Sequence, residues 1–189
     1  MDPLVAATFA VVALLEILVP LTLGYWFVKK FGLSWRVFGL GALFFIVVQV
    51  FHAPFVILTQ NPLYFALLPF GTKAALAGLA IYLGLMAGLF EEIGRYLVYR
   101  YLFGRQKIPL TRENGLLFGT GWGGVESMIV ALVVLSGMVS YLLLAGDGGA
   151  IPLPDDPLVQ AEIDALRALT PLDILPGLAE RMMTITLLI

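Results

Sequence analysis

Apolar residues fall into five runs separated by short polar connections: Leu4–Val28, Val37–Thr59, Ala74–Tyr99, Gly115–Ala145 and Leu172–Ile189. Each is long enough to cross ~30 Å of hydrocarbon at ~1.5 Å rise per helical residue. A chain crossing lipid must satisfy its own backbone hydrogen bonds, so long single runs imply helices. The pattern predicts an all-α fold, a polytopic transmembrane helix bundle of about five spans, with 1–189 forming a single transmembrane domain. Leu63–Phe70 is too short to cross. Bounded by Asn61-Pro62 and Pro69, it predicts an interfacial or re-entrant piece. Gly146–Pro157 is rich in Gly, Pro and Asp and reads as a loop, and Leu158–Leu169 has apolar residues at helical spacing. Together, 146–170 predicts an outside loop followed by a surface helix.

Composition strengthens this reading. Of 189 residues, 60% are hydrophobic and 13% charged, with mean hydropathy +0.98. A soluble domain runs nearer ~25% charged, so the lipid bilayer must cover what polar surface cannot. A net charge of −2 argues against a nucleic-acid partner, which demands a basic face. The absence of cysteine excludes disulfide and thiol chemistry, and a single histidine excludes an all-histidine zinc site within the chain. The first run lacks a positive flank and contains Glu16 and Pro20, so it reads as a retained span rather than a signal peptide. The last run reaches Ile189 without a polar flank, as expected of a chain that continues or whose end a partner covers.

Charge orients the runs. Lys29, Lys30 and Arg36 fill the first connection, and Arg100, Arg105, Lys107 and Arg112 surround the third. The second holds Lys73, and the fourth carries Asp147, Asp155, Asp156, Glu162 and Asp164 against Arg167. Positive charge concentrates on the cytoplasmic side of membrane proteins. Connections 29–36 and 100–114 are therefore expected in the cytoplasm and the N-terminus outside, in a plasma (inner) membrane.

The chemistry lies in polar groups buried in these runs. A charged side chain at mid-bilayer costs at least ~2.5 kcal/mol, so such residues point to function. Counting from the nearest interface, Glu92 lies ~12 Å deep, Trp122 also ~12 Å and Glu126 ~18 Å. Glu16, Gln49 and the Glu180-Arg181 pair fall near the midplane by the same count. Glu91 and Arg95 are four residues apart and share a helix face. The layer holds five carboxylates (Glu16, Glu91, Glu92, Glu126, Glu180) against two cations (Arg95, Arg181). Three unpaired negative charges are untenable at low dielectric, so some carboxyls must be protonated or a bound cation must balance them. His52 counts ~24 Å from the cytoplasmic side, nearer the outer surface than Glu91 and Glu92. The glycines at 119, 121, 123 and 124 predict close helix packing, with Trp122 filling the groove they open.

The segment Gly88-Leu89-Phe90-Glu91-Glu92-Ile93-Gly94-Arg95-Tyr96 resembles the Glu-Glu-x-x-Arg motif of the YhfC-type membrane peptidases. These are akin to the intramembrane glutamate metalloproteases, which include the CAAX-processing and bacteriocin-processing proteases. Gly119-Thr120-Gly121-Trp122-Gly123-Gly124-Val125-Glu126 resembles that family's Gly-x-Gly-His-Gly-Gly-x-Glu pattern. Gln49-x-x-His52-x-Pro54 and Glu180-Arg181 are also similar, so four of the five runs carry matches in order. The resemblance implies a divalent metal such as zinc, which polarises a peptide carbonyl and activates water. It implies Glu91 or Glu92 as base or ligand, Arg95 fixing the pair, and Glu126 as a carboxylate that either binds the metal or supports its ligands; His52 is a candidate ligand or relay, or a histidine hydrogen-bonded near the outer interface. The departure is Trp122, which stands where the resemblance expects histidine. An indole nitrogen only donates and cannot bind a metal.

These readings converge on an intramembrane metallopeptidase-like protein, catalytically impaired because Trp122 replaces the expected ligand. If active, its partner is a membrane peptide substrate. The alternatives are a non-enzymatic subunit or scaffold bound to a partner subunit, and a proton-coupled transporter that uses the excess carboxyls as a relay.

Overall fold

A computed structural model describes residues 2–144 and 156–188, and they form helices with no strand among them. Helix α1 spans Pro3–Phe31, α2 Trp35–Leu67, α3 Thr72–Leu97, α4 Arg112–Leu144, α5 Pro157–Arg167 and α6 Pro171–Leu188. A 3₁₀ turn, Leu68–Phe70, joins α2 to α3, and a π-helical stretch, Val98–Phe103, extends α3.

The ends follow local chemistry. Asp2 caps α1 by accepting the Leu4 N–H at 2.8 Å, and Pro3 occupies the first turn, where no backbone donor is needed. Gly32 ends α1 at φ 63°, a conformation that glycine adopts without a Cβ penalty. Ser34 then starts α2 by accepting the Arg36 N–H.

Four helices among the described residues are long and apolar enough to cross a membrane: Pro3–Phe31, Trp35–Phe70, Thr72–Phe103 and Arg112–Leu144. The fifth expected span is α6, whose 18 residues include Asp173, Glu180 and Arg181. Those three charges separate it from the other four. The piece expected at Leu63–Phe70 does not re-enter: it is the end of α2, which runs through Pro54 and Pro62, followed by the 3₁₀ turn Leu68–Phe70. Neighbouring groups can take up the carbonyls that proline frees, so proline does not break a helix in lipid as it does in water. The helix expected at Leu158–Leu169 is present as α5, capped by Asp156. The loop expected at 146–157 lies outside the described residues up to position 155, as does Ile189.

Helix α4 is the spine: it packs against α1, α2 and α6, while α3 packs against α2, and α6 also touches α1. Glycine makes the tightest of these contacts possible. A Cβ on Gly121 would sit 2.0 Å from the carbonyl oxygen of Phe38, and one on Gly41 would sit 2.1 Å from that of Phe118. Backbones of α2 and α4 therefore approach in the small-residue manner. Two apolar clusters result. One gathers Phe27, Phe38, Phe45, Phe103, Phe118 and Trp122 toward the end holding the basic connections. The other gathers Val5, Phe9, Val12, Tyr141 and Ile174 at the opposite end.

Candidate functional site

The buried polar groups assemble into three sets. In the first, α3 meets α4. Trp122 is fully buried, held by edge-to-face contact with Phe45 and tilted packing on Phe118. Its indole Nε1–H donates to Oε2 of Glu91 at 3.3 Å. Arg95 donates to Oε1 of Glu92 at 2.5 Å and lies over the Trp122 ring with its guanidinium carbon 5.7 Å from the centroid. Gly94 permits this, because a Cβ there would stand 3.1 Å from the Trp122 ring and 2.4 Å from Val48.

In the second set, α4 meets α6. Arg181 donates to Glu126 at 2.6 Å and to Glu180 at 2.7 Å. Glu126 lies one helical turn from Trp122, whose indole donates to Glu91, and this links the two sets. Glu16, on α1, is completely buried nearby. Its backbone carbonyl accepts from the Ser127 hydroxyl at 2.9 Å. Neither carboxyl oxygen of Glu16 makes a hydrogen bond.

The third set stands on α2. Nδ1 of His52 shares a 3.0 Å hydrogen bond with Oε1 of Gln49, and the ring lies against Phe90, 5.1 Å between centroids. An amide oxygen only accepts, so with this amide orientation Nδ1 carries the proton and Nε2 keeps its lone pair. Nε2 is buried without a hydrogen-bond partner.

The fold therefore brings Glu91, Glu92, Arg95 and Trp122 together, and separately Glu126, Glu180 and Arg181. Arg95 pairs with Glu92, three residues away, and Glu91 takes its donor from Trp122. The expected ligand set of Glu91, Glu92, Glu126 and His52 does not converge: no group of three or more His, Cys, Asp or Glu among the described residues is placed to hold a metal. A catalytic zinc needs about three protein ligands around one point with a fourth position open. Here Arg95 and Arg181 already occupy two of the carboxylates, and an indole N–H faces the third. The donors present do not fit the metal.

Sequence reasoning missed Ser127, whose hydroxyl ties α4 to α1. Its signal was the small-residue spacing Gly123-x-x-x-Ser127. It also missed Tyr96 and Tyr99, which with Glu92 and Arg95 line a polar hollow on α3. Nothing in their spacing announced them.

A helical bundle with several apolar spans and a paired-charge layer at its centre is an integral membrane protein. Residues 15–189 match the family described as YhfC intramembrane metalloprotease, and the chain belongs to that family. An uncharacterized membrane protein, YhfC, of Bacillus subtilis (strain 168) is 35% identical over 154 residues, covering 72% of this chain and 55% of the relative. The chain thus spans about half the length of the curated relative it matches. No solved structure matches it.

Proposed function

We propose that this chain carries the frame of an intramembrane metallopeptidase but is impaired in hydrolysis, its metal centre replaced by arginine–carboxylate pairs and an indole. The observation that carries this reading is the partner set of the carboxylates. Arg95 pairs with Glu92, Arg181 pairs with Glu126 and Glu180, and the Trp122 N–H faces Glu91. Each of these contacts competes with a metal for the same oxygens.

The frame instead suits binding a membrane segment of a partner or substrate. Glu92 and Glu180 present side chains 72% and 70% exposed, Glu92 on a helix apolar enough to cross a membrane. Carboxylates facing hydrocarbon are costly, so a segment bringing hydrogen-bond donors would lower the free energy of this face. On this reading the protein acts as a non-enzymatic subunit or scaffold. Its basic connections face the cytoplasm across the plasma membrane by the charge rule.

Metal analysis of the purified full chain tests the proposal. The expected zinc content lies far below one per chain and does not change in Glu91→Ala. One equivalent of zinc that Glu91→Ala abolishes would overturn it.

A further inference from the structure

Apart from the polar layer, an opening lies between α2 and the end of α3 with the π-helical stretch that follows it. It is a groove of about 390 Å³, within the size range of small-molecule sites, lined by Phe44, Val47, Phe51, Leu97, Tyr101 and, at its mouth, Arg105. We propose that this groove binds an anionic phospholipid, one acyl chain lying between the helices and the phosphate meeting Arg105.

Three observations carry this. First, the walls are apolar along their length while the mouth is cationic. The lining from Leu97 to Arg105 rises ~12 Å along the helix, so the groove extends from the polar boundary into hydrocarbon depth. Arg105 is exposed and belongs to no ion pair among the described residues. Second, the surrounding charge suits an anion. Arg36 donates to Gln106, next to Arg105, and Arg100 stacks on Tyr101 at 6.0 Å. Lys29, Lys30, Lys107 and Arg112 belong to the same two connections, where Glu113 is the sole acid. Basic pockets at this boundary are suited to anionic headgroups. Third, the groove coincides with the π-helical stretch Val98–Phe103. A π turn widens the helix locally and recurs at functional sites, and here it turns Tyr101 and Arg105 toward the same opening. The groove shares Gly94 with the surroundings of the Trp122 ring, but none of the carboxylates lines it, so the inference does not depend on the proposed function.

The test is native mass spectrometry of the full chain released from micelles containing equal phosphatidylglycerol and phosphatidylcholine. Wild type should retain one phosphatidylglycerol, favoured about fivefold over phosphatidylcholine, the preference one arginine provides at a membrane surface. Arg105→Gln should abolish the preference, while Lys73→Gln, in a different connection and outside the groove, should leave it unchanged. Val47→Trp, which fills the groove, should remove both lipids. Arg105→Gln alters an exposed residue, so it keeps the proposal open to test even if Val47→Trp does not fold. Equal retention of both lipids by wild type, or an unchanged preference in Arg105→Gln, would overturn the proposal. So would displacement of the lipid by inorganic phosphate alone, or a lipid-free dimer that Val47→Trp converts to monomer.

Discussion

The indole nitrogen of Trp122 donates to the carboxylate of Glu91 across the α3–α4 contact, and the same ring carries the guanidinium of Arg95 on its face. One residue on α4 thus engages both an acid and a base of the Glu-Glu-x-x-Arg segment. A tryptophan can do this because its edge donates a hydrogen bond while its face attracts a cation. Histidine at the same place would offer a lone pair, and the chemistry of the site would change accordingly.

Trp122→His tests that difference. The new imidazole would stand beside Glu91 with Glu126 one turn deeper, supplying the nitrogen ligand that the present donors lack. Zinc content, measured on purified protein, should rise toward one per chain and fall again when Glu91→Ala is added. The substitution also empties space against Phe45 and Phe118, and losing a large buried aromatic costs about 3–5 kcal/mol when truncated to alanine. A lower melting temperature in detergent is therefore expected alongside the gain of metal. A variant that folds and binds no zinc would show that the tryptophan is not what keeps metal out.

The glycines of α4 are tested by adding single methyl groups. Gly121→Ala would drive a Cβ into the Phe38 carbonyl, with backbone on both sides of the clash. Overpacking of this kind costs about 1–3 kcal/mol or more, since a carbonyl cannot rotate away. Gly39→Ala, on α2 close to the same contact, meets nothing within 4 Å and should gain up to ~1 kcal/mol of helix propensity. Thermal unfolding in detergent should separate the two in sign. A neutral Gly121→Ala would show that α2 and α4 do not approach as closely as described.

Much of this architecture is legible in the sequence, for a physical reason. Hydrocarbon imposes a length and an apolar composition on every span, so Pro3–Phe31 and Arg112–Leu144 stand out without tertiary information. The small residues around Trp122 likewise announce a close contact. The partners of the charges are not legible. Arg95 can reach either Glu91 or Glu92 by helical spacing, and the choice of Glu92 depends on where Trp122 comes from on another helix. Pro62 misled in the other direction. Its rule as a helix breaker comes from water, and α2 continues five residues past it in an apolar setting. The π-helical stretch at Val98–Phe103 has no composition to mark it.

Arg181 holds two carboxylates at once, and its removal should be costly. Its side chain is 15% exposed and that of Glu126 is 22% exposed, so solvent replaces little of what is lost. Breaking a buried pair by removing one partner costs about 3–5 kcal/mol. Arg181→Met should therefore lower stability sharply. Arg181→Met combined with Glu126→Gln should recover much of the loss, because the uncompensated charge is gone. Arg181→Lys should rescue only in part, since an ammonium cannot present the guanidinium fork to both acids. A double variant as unstable as Arg181→Met alone would place the loss in packing rather than charge.

Glu16 presents the opposite case. It is fully buried on α1, and neither carboxyl oxygen has a hydrogen-bond partner, although Ser127 binds the backbone of the same residue. A buried polar group without a partner costs about 1–3 kcal/mol relative to an apolar group of the same shape. Methionine matches the length of glutamate and adapts to irregular space. Glu16→Met should thus leave stability unchanged or raise it, while the Ser127 contact persists because it uses the main chain. The charge of Arg181 pulls the other way, but that guanidinium is already satisfied by Glu126 and Glu180. Unfolding of Glu16→Met and Ser127→Ala in parallel decides the matter. Ser127→Ala should lose about 1 kcal/mol for one buried hydrogen bond, and Glu16→Met should not. A Glu16→Met variant that unfolds well below wild type would mean that this carboxyl stabilises the bundle, with Arg181 as its counter-charge.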